Sequence, residues 1–160
     1  MISVDVAQAI RKPGVPYEFS YDGTPGFEGI SFLEPLVLRA AYSGIEGGVR
    51  FRGTFHAAVA ATCTRCLADV KYPVHCAFEE LFVRGQDEDG DSYTFCGETV
   101  NLDKMVYDMT VLAIPQQVLC KPDCAGLCGK CGADLNGGSC VCEENTADEN
   151  NPFAVLKDLK

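Results

Sequence analysis

The sequence predicts an α+β fold, mainly β, in which an antiparallel sheet packs against one main helix and carries a small C-terminal cysteine-rich module. Apolar residues recur with a period of two before residue 85 and with a helical period after residue 101, and eight of the ten cysteines lie in two short stretches. We expect four parts: an N-terminal segment 1–34, a β domain 35–118 with helix 102–114, the cysteine-rich module 119–143 and a C-terminal tail 144–160.

An antiparallel meander is predicted from three runs that are rich in β-branched and aromatic residues. These runs are PLVLRAAY, VRFRGTFHAAVAATC and VKYPVHCAFEELFVRG, and the turn sequences SGIEGG and TRCLAD connect them. In the second run the apolar positions alternate with Arg50, Arg52, Thr54 and His56. Because successive strand residues point to opposite faces, we expect a sheet with one buried and one exposed face.

The main helix is predicted within NLDKMVYDMTVLAIP, where apolar residues fall at helical spacing. Asn101 or Asp103 can cap its start, and Pro115 ends it. We expect the apolar stripe to pack on the sheet. The stripe consists of Leu102, Met105, Val106, Met109, Leu112 and Ala113.

Eight cysteines have the spacing of metal ligands. CTRC and CGKC are CxxC pairs and CVC is a CxC pair, and a tight turn in each can direct two thiolates to one point. Four thiolates form a structural zinc site, so eight predict two zinc ions. The region from Pro115 to Cys142 has too few bulky apolar residues to fold unaided, and a segment this short usually needs a metal or a cross-link. The eight are Cys63, Cys66, Cys120, Cys124, Cys128, Cys131, Cys140 and Cys142.

Disulfides and membrane insertion are less favoured. The start MISVDVAQAIRKPG lacks the pattern of a secretory signal, and no apolar run reaches the ~18 residues of a membrane span. A reduced compartment is therefore expected, because disulfides persist mainly in oxidising ones. We expect a soluble, cytoplasmic protein.

Other chemistries remain as alternatives to structural zinc. CTRC could be a redox dithiol with Arg65 lowering a thiol pKa, although such a pair starts a helix and here a strand pattern follows. The spacing of these cysteines matches neither ferredoxin pattern, which disfavours iron–sulfur ligation. A calcium loop near residues 87–98 has Ser92 where glycine is needed. His56 and His75 have no catalytic context, so we expect no enzymatic activity.

The charge of −10 is unevenly distributed: residues 1–84 carry −1 and residues 85–160 carry −9. This balance disfavours general binding to nucleic acid and fits a basic protein partner. Arginines in the sheet half could still contact RNA locally. Apolar residues at the end of the tail could dock on the body or on a partner. The partner-binding candidates are Arg50, Arg52, Arg65, Phe153 and Leu156.

These motifs together resemble the YceD family, the bacterial large ribosomal RNA subunit accumulation proteins. The resemblance covers roughly residues 35–160 and is carried by CTRCL, the helix ending LAIP, the string LCKPDCAGLCGKCGADLNGGSCVC and the closing NPFAVLKDLK. It implies a non-enzymatic role in ribosome biogenesis that supports accumulation or processing of large-subunit (23S) RNA. Implied partners are a ribosomal protein or a large-subunit assembly intermediate, and rRNA. A thiol redox protein and a zinc-ribbon RNA-binding module remain the alternative functions.

The resemblance also implies how the ligands pair. Family members similar to the enterobacterial version keep the first CxxC and the ligands just after the helix, but lack the later cysteine string. Carried onto this chain, the first site would comprise Cys63, Cys66, Cys120 and Cys124. The second site would comprise Cys128, Cys131, Cys140 and Cys142.

Overall fold

A five-stranded sheet and a two-stranded sheet form the fold in this computed structural model, which describes residues 1–85 and 92–142. The predicted α+β class, mainly β with one main helix, is confirmed. The elements in chain order are β1 (Ser3–Asp5), α1 (Ala7–Arg11), β2 (Tyr17–Gly23), β3 (Phe32–Ile45), β4 (Gly48–Thr62), β5 (Asp69–Arg84), β6 (Tyr93–Phe95), β7 (Thr99–Asn101), α2 (Asp103–Ala113) and a 3₁₀ turn (Leu135–Gly137).

The five-stranded sheet has the order β2-β3-β4-β5-β6. Strands β2 to β5 form an antiparallel meander, and β6 adds to the edge of β5 in parallel. Strands β4 and β5 pair from Gly48 with Val83 to Thr62 with Asp69, so residues 63–68 form the hairpin turn. The first CxxC pair therefore lies at the end of a long hairpin.

One face of the large sheet is buried, as the alternation in β4 predicts. Val49, Phe51, Phe55, Ala57 and Val59 all point into the core. The layer that covers this face consists of the small β1–β7 sheet with α1 and α2. The core is thus a sandwich of one large sheet against a smaller mixed layer.

The N-terminal residues are part of this core. Ile2 is fully buried, and β1 pairs with β7 over Ser3–Asp5. Helix α1 packs so closely on β3 that a Cβ on Gly44 would lie 2.0 Å from the carbonyl oxygen of Ala9. Residues 1–34 therefore supply β1, α1 and β2 to the same layers as residues 35–118. The division of the chain into four parts stays a prediction.

Helix α2 begins and ends within one residue of its predicted bounds, 102–114. The side-chain oxygen of Asn101 accepts from the backbone N–H of Asp103, as expected at a helix start. The predicted stripe is wrong at Leu112, which is 84% exposed. Leu112 lies at one edge of the stripe, and the helix buries Thr110 at the other edge, where the hydroxyl donates to the carbonyl of Val106.

No helix in the described ranges is long and apolar enough to cross a membrane. The acidic residues of the calcium alternative, at 87, 89 and 91, lie outside the described residues, as do Phe153 and Leu156 of the tail.

Candidate metal centre

The hairpin turn between β4 and β5 holds the first two cysteines in place. The backbone N–H of Cys63 donates to the carbonyl of Ala68, and the N–H of Leu67 donates back to the carbonyl of Cys63. Leu67 has a positive φ of 61°, which closes the turn. This tight turn brings Cys63 and Cys66 to the same side of the hairpin end.

The segment after α2 docks on this turn through backbone hydrogen bonds. The N–H of Thr64 donates to the carbonyl of Val118 at 2.8 Å, and its hydroxyl donates to the same carbonyl at 3.2 Å. The Arg65 guanidinium donates to the carbonyl of Cys124 at 2.8 Å. These bonds set the second pair of ligands against the first.

Site 1 is the resulting group of four thiols. The Sγ atoms of Cys63 and Cys124 are 3.8 Å apart, and those of Cys66 and Cys120 are 3.5 Å apart. All four sulfurs lie within 4.8 Å of one another and could hold a metal ion. Cys63 and Cys124 are buried, so site 1 reaches into the protein interior.

Site 2 is a local group within the cysteine-rich module. Its knuckle closes as the N–H of Cys128 donates to the carbonyl of Ala133 and the N–H of Gly132 donates to the carbonyl of Cys128. The thiol of Cys140 donates to the Cys128 sulfur at 3.4 Å. The four sulfurs again lie within 4.8 Å, but every one of these residues is partly or fully exposed. The structure therefore gathers Cys128, Cys131, Cys140 and Cys142 without help from the sheet.

Backbone donors favour ionisation of one thiol in each site. The hydrogen bond from the N–H of Cys66 is the largest cause that lowers the pKa of Cys63 to about 6. At site 2 the N–H of Cys131 is the largest cause that lowers the pKa of Cys128 to about 6. Both are the first cysteine of a CxxC turn, where backbone N–H groups converge on the sulfur.

The opposite shift affects a second thiol in each site. The hydrogen bond with Cys66 is the largest cause that raises the pKa of Cys120 to about 12, and the bond with Cys131 does the same for Cys142. Crowded thiols cannot all ionise, because their negative charges repel. A dication among them would remove that repulsion, so the titration behaviour suits a metal site.

The sulfur spacing fits zinc. Four sulfurs at about 2.3 Å from a tetrahedral ion lie about 3.8 Å from one another, which is close to the 3.4 to 3.8 Å of the sulfur pairs above. A disulfide would require sulfurs about 2.05 Å apart, and all ten cysteines are free. Thiolate donors also select zinc over magnesium or calcium.

The remaining predicted residues lie elsewhere. Arg50 and Arg52 are exposed on the uncovered face of the large sheet. The Arg50 guanidinium lies 4.0 Å from the Glu79 carboxylate. Arg65 is exposed but its guanidinium contacts the site 1 loop. His56 and His75 pair across β4 and β5 on the same face as Arg52, with ring centroids 6.1 Å apart.

Two cysteines outside the sites differ in burial. The strand-like sequences around both predict small buried residues, but Cys96 is exposed because it follows the end of β6, at the turn formed by Gly97 with φ of 79°. Cys76 is half-buried, and its thiol lies 3.7 Å from the carbonyl of Met109. Burial raises the pKa of Cys76, which makes it a poor nucleophile.

Sequence reasoning missed Asn136. Its side-chain N–H donates to the Cys124 sulfur at 3.4 Å and is the largest cause that lowers the pKa of Cys124. The string DLNGG indicates only a turn, because a hydrogen bond to a ligand 12 residues away depends on the folded chain.

The chain is similar to proteins from bacteria and a plant. An uncharacterized protein of Mycobacterium tuberculosis is 30% identical over 147 residues, covering 84% of this chain and 70% of that protein. Bacillus subtilis YlbN, also uncharacterized, is 30% identical over 115 residues, covering 66% of this chain and 67% of YlbN. No solved structure is significantly similar.

A maize protein named large ribosomal RNA subunit accumulation protein YCED homolog 1, chloroplastic, is 34% identical over 72 residues, covering 42% of this chain and 25% of that protein. The family described as large ribosomal RNA subunit accumulation protein YceD matches residues 51–160, which include all eight cysteines of both sites. This match spans more than half of the chain, and the chain therefore belongs to the YceD family.

Proposed function

We propose that this protein is a non-enzymatic ribosome biogenesis factor that supports accumulation of large-subunit (23S) rRNA in the cytoplasm. The family match over residues 51–160 carries the proposal, and the name of the maize relative supports it. The two groups of four thiols in the described part of the chain also support a binding role, because four thiolates are the ligand set of a closed, structural metal site.

Zinc is the proposed metal of both sites. Cys63, Cys66, Cys120 and Cys124 would hold one ion, and Cys128, Cys131, Cys140 and Cys142 would hold the other. A zinc ion with four thiolates supplies a structural cross-link and leaves no open position for substrate. At site 1 the ligands belong to the hairpin turn and to the segment after α2, so the cross-link would join two distant parts of the chain.

The uncovered face of the large sheet is the proposed contact surface for RNA within an assembly intermediate. Arg39, Arg50 and Arg52 are exposed on neighbouring strands, and Arg52 lies between Ala41 on β3 and Glu79 on β5. Small neighbours leave a shallow depression of about 430 Å³ beside Arg39 and Arg52. Within the described ranges no ion pair involves Arg52, so its guanidinium is available to a phosphate.

The charge distribution supports a second contact, with a basic ribosomal protein. Residues 85–160 carry a net charge of −9, and a bound zinc dication with four thiolates adds −2 at each site. An assembly intermediate offers both kinds of surface, because it contains phosphates and basic proteins. Arg65, Phe153 and Leu156 remain proposed partner contacts.

A thiol redox function is the second candidate, and two observations disfavour it. The CTRC pair lies on a β-hairpin turn, whereas the low thiol pKa of thioredoxin-like pairs depends on a helix start. Its two sulfurs also lie 3.8 and 3.5 Å from those of Cys124 and Cys120, so they belong to a group of four thiols. That arrangement suits four-thiol ligation.

Deletion of the gene in its host tests the proposal. We expect mature large-subunit RNA to fall relative to small-subunit RNA, and the wild-type gene to restore the ratio. Arg52→Glu should restore it only in part, because the variant repels phosphates at the sheet face. Arg11→Glu is the matched control: it makes the same change of charge on α1, where Arg11 contacts Glu98.

An unchanged RNA ratio in the deletion strain would refute the ribosomal role. Full restoration by Arg52→Glu would instead refute only the sheet face as the contact surface. Dithiol turnover by the purified protein would favour the redox candidate.

A further inference from the structure

We propose that Asn136 is a positioning residue that couples the two metal sites, so that site 1 binds its metal more tightly when site 2 is filled. The inference rests on the proposed metal binding and goes beyond it, since it assigns a role to a residue that is not a ligand. The side chain of Asn136 contacts site 1, whereas its backbone belongs to the loop that site 2 closes.

The orientation of the Asn136 amide follows from its partners. Its oxygen accepts from the backbone N–H of Ala125 at 2.9 Å, and only the oxygen can meet that donor. The amide nitrogen therefore faces the Cys124 sulfur, 3.4 Å away. The carboxylate of Asp134 accepts from the same nitrogen at 2.7 Å and from the Asn136 backbone N–H at 2.9 Å. Both ends of the side chain are thus fixed.

The loop that carries Asn136 depends on site 2. It runs between Cys131 and Cys140, two of the four thiols of that site. Leu135, the residue before Asn136, is only half-buried, and the 3₁₀ turn of residues 135–137 contains no buried residue. A short segment with so little apolar burial gains its order from ligation, so a metal at site 2 would hold Asn136 in place.

The chain between the sites transmits this order directly. Only residues 125–127 separate Cys124 from Cys128, and this segment is hydrogen-bonded both to the hairpin turn and to the site 2 loop. The N–H of Leu127 donates to the carbonyl of Arg65 in the hairpin turn, and the carbonyl of Gly126 accepts from the N–H of Leu135 in the site 2 loop. Gly126 has φ of 77°, a conformation that favours glycine, and a Cβ there would lie only 3.1 Å from the Arg65 carbonyl oxygen.

An N–H group that donates to a thiolate ligand stabilises the negative charge of the sulfur and fixes the orientation of the cysteine side chain. Loss of a hydrogen bond of this kind behind a ligand lowers metal affinity by about 10- to 100-fold. Because linkage is reciprocal, the site that orders Asn136 and the site that receives its hydrogen bond must strengthen each other by the same factor.

The test uses the full chain loaded with ¹¹³Cd²⁺ and with Zn²⁺. Two ¹¹³Cd resonances are expected, and Cys140→Ser, which removes one site 2 ligand, assigns the one that remains to site 1. Chelator competition then gives the affinity of each site separately. We expect Asn136→Ala and Asn136→Asp to shift the site 1 resonance and to weaken site 1 by about 10- to 100-fold. The aspartate keeps an acceptor for Ala125 but has no donor for the sulfur.

Two comparisons isolate the coupling. Cys140→Ser should weaken site 1 to a similar extent, and it should add little in the Asn136→Ala background, because both changes remove the same interaction. Asn101→Ala, at the start of α2 and outside both sites, should change neither resonance. If the wild-type chain binds two metals but the affinity of site 1 is unchanged in Cys140→Ser or in Asn136→Ala, the coupling alone is overturned. Fewer than two metals in the wild-type chain would overturn the proposed metal sites and the coupling with them.

Discussion

The Sγ atoms of Cys63 and Cys124 lie 3.8 Å apart, although 61 residues separate the two cysteines in sequence. Both are buried, at 0% and 1% exposure. One ends the long β4–β5 hairpin and the other follows α2, so the contact joins the sheet to the segment that leaves the helix. Site 1 is therefore embedded in the fold, whereas site 2 is an appendage of it.

This difference predicts unequal effects of ligand loss. Cys63→Ser should lower the free energy of unfolding by more than about 4 kcal/mol, the scale of losing a structural metal. Cys140→Ser should reduce hydrogen-exchange protection mainly in residues 128–142 when metal is saturating. Hydrogen exchange on both variants measures this. Equal and global loss of protection would contradict the two-site arrangement.

Metal content is the most direct prediction. The protein should contain two zinc ions per chain, because its eight clustered thiols form two groups of four. Elemental analysis of protein purified without added metal checks the number. A single ion would refute one of the sites, and intact disulfides without metal would refute both.

Much of the sheet could be predicted because its signals are local. The period of two in β3, β4 and β5 and the turn sequences between them are visible in the sequence. A CxxC motif in a hairpin turn also predicts that its two thiols point to the same side of the turn. Helix α2 was found for the same reason, since its spacing and its stop at Pro115 lie within one short segment.

Short strand pairs between segments that lie far apart in the sequence leave no local pattern of this kind. Strand β1 pairs with β7 through three residues on each side, from Ser3 with Asn101 to Asp5 with Thr99. Three residues are too few to show a period, and nothing local indicates a partner about a hundred residues away. Asn136 was missed for a related reason: its role depends on which sulfur the folded chain brings to it.

The N-terminal residues should contribute directly to stability. Ile2 is fully buried beneath the main sheet, so Ile2→Ala should cost about 2–5 kcal/mol of unfolding free energy. Leu33→Ala is the control, because Leu33 is 53% exposed and its loss should change stability by about 0.5 kcal/mol or less. Urea denaturation of the metal-loaded protein measures both. Equal stability of Ile2→Ala and wild type would mean that the N-terminal layer is not part of the cooperative core.

Metal affinity should rise with pH. Cys120 and Cys142, with pKa values raised to about 12, hold protons at neutral pH, so each site must release at least one proton on binding. Cys63 and Cys128, with pKa values lowered to about 6, are ionised above that pH and protonated below it. Affinity should therefore fall about tenfold per pH unit or more on acidification, and more steeply below about pH 6. Chelator competition across this range tests the slope, and pH-independent affinity would contradict it.

The affinity for a partner should have one contribution that depends on salt concentration and one that does not. Attraction between the acidic half of the chain and a basic ribosomal protein should weaken as salt is raised, because exposed charges are screened. Docking through Phe153, Val155 and Leu156 would persist, since apolar contact is not screened. Truncation after Asn151 removes these three side chains and changes the net charge by only one unit.

The truncated and full-length proteins should therefore lose affinity in parallel as salt rises, with the truncated protein at least about tenfold weaker throughout. Titration against an isolated large-subunit assembly intermediate at several salt concentrations separates the two parts. If truncation changed the salt dependence and left the affinity at high salt intact, the tail would act through its charge, and the apolar residues at its end would not be the contact.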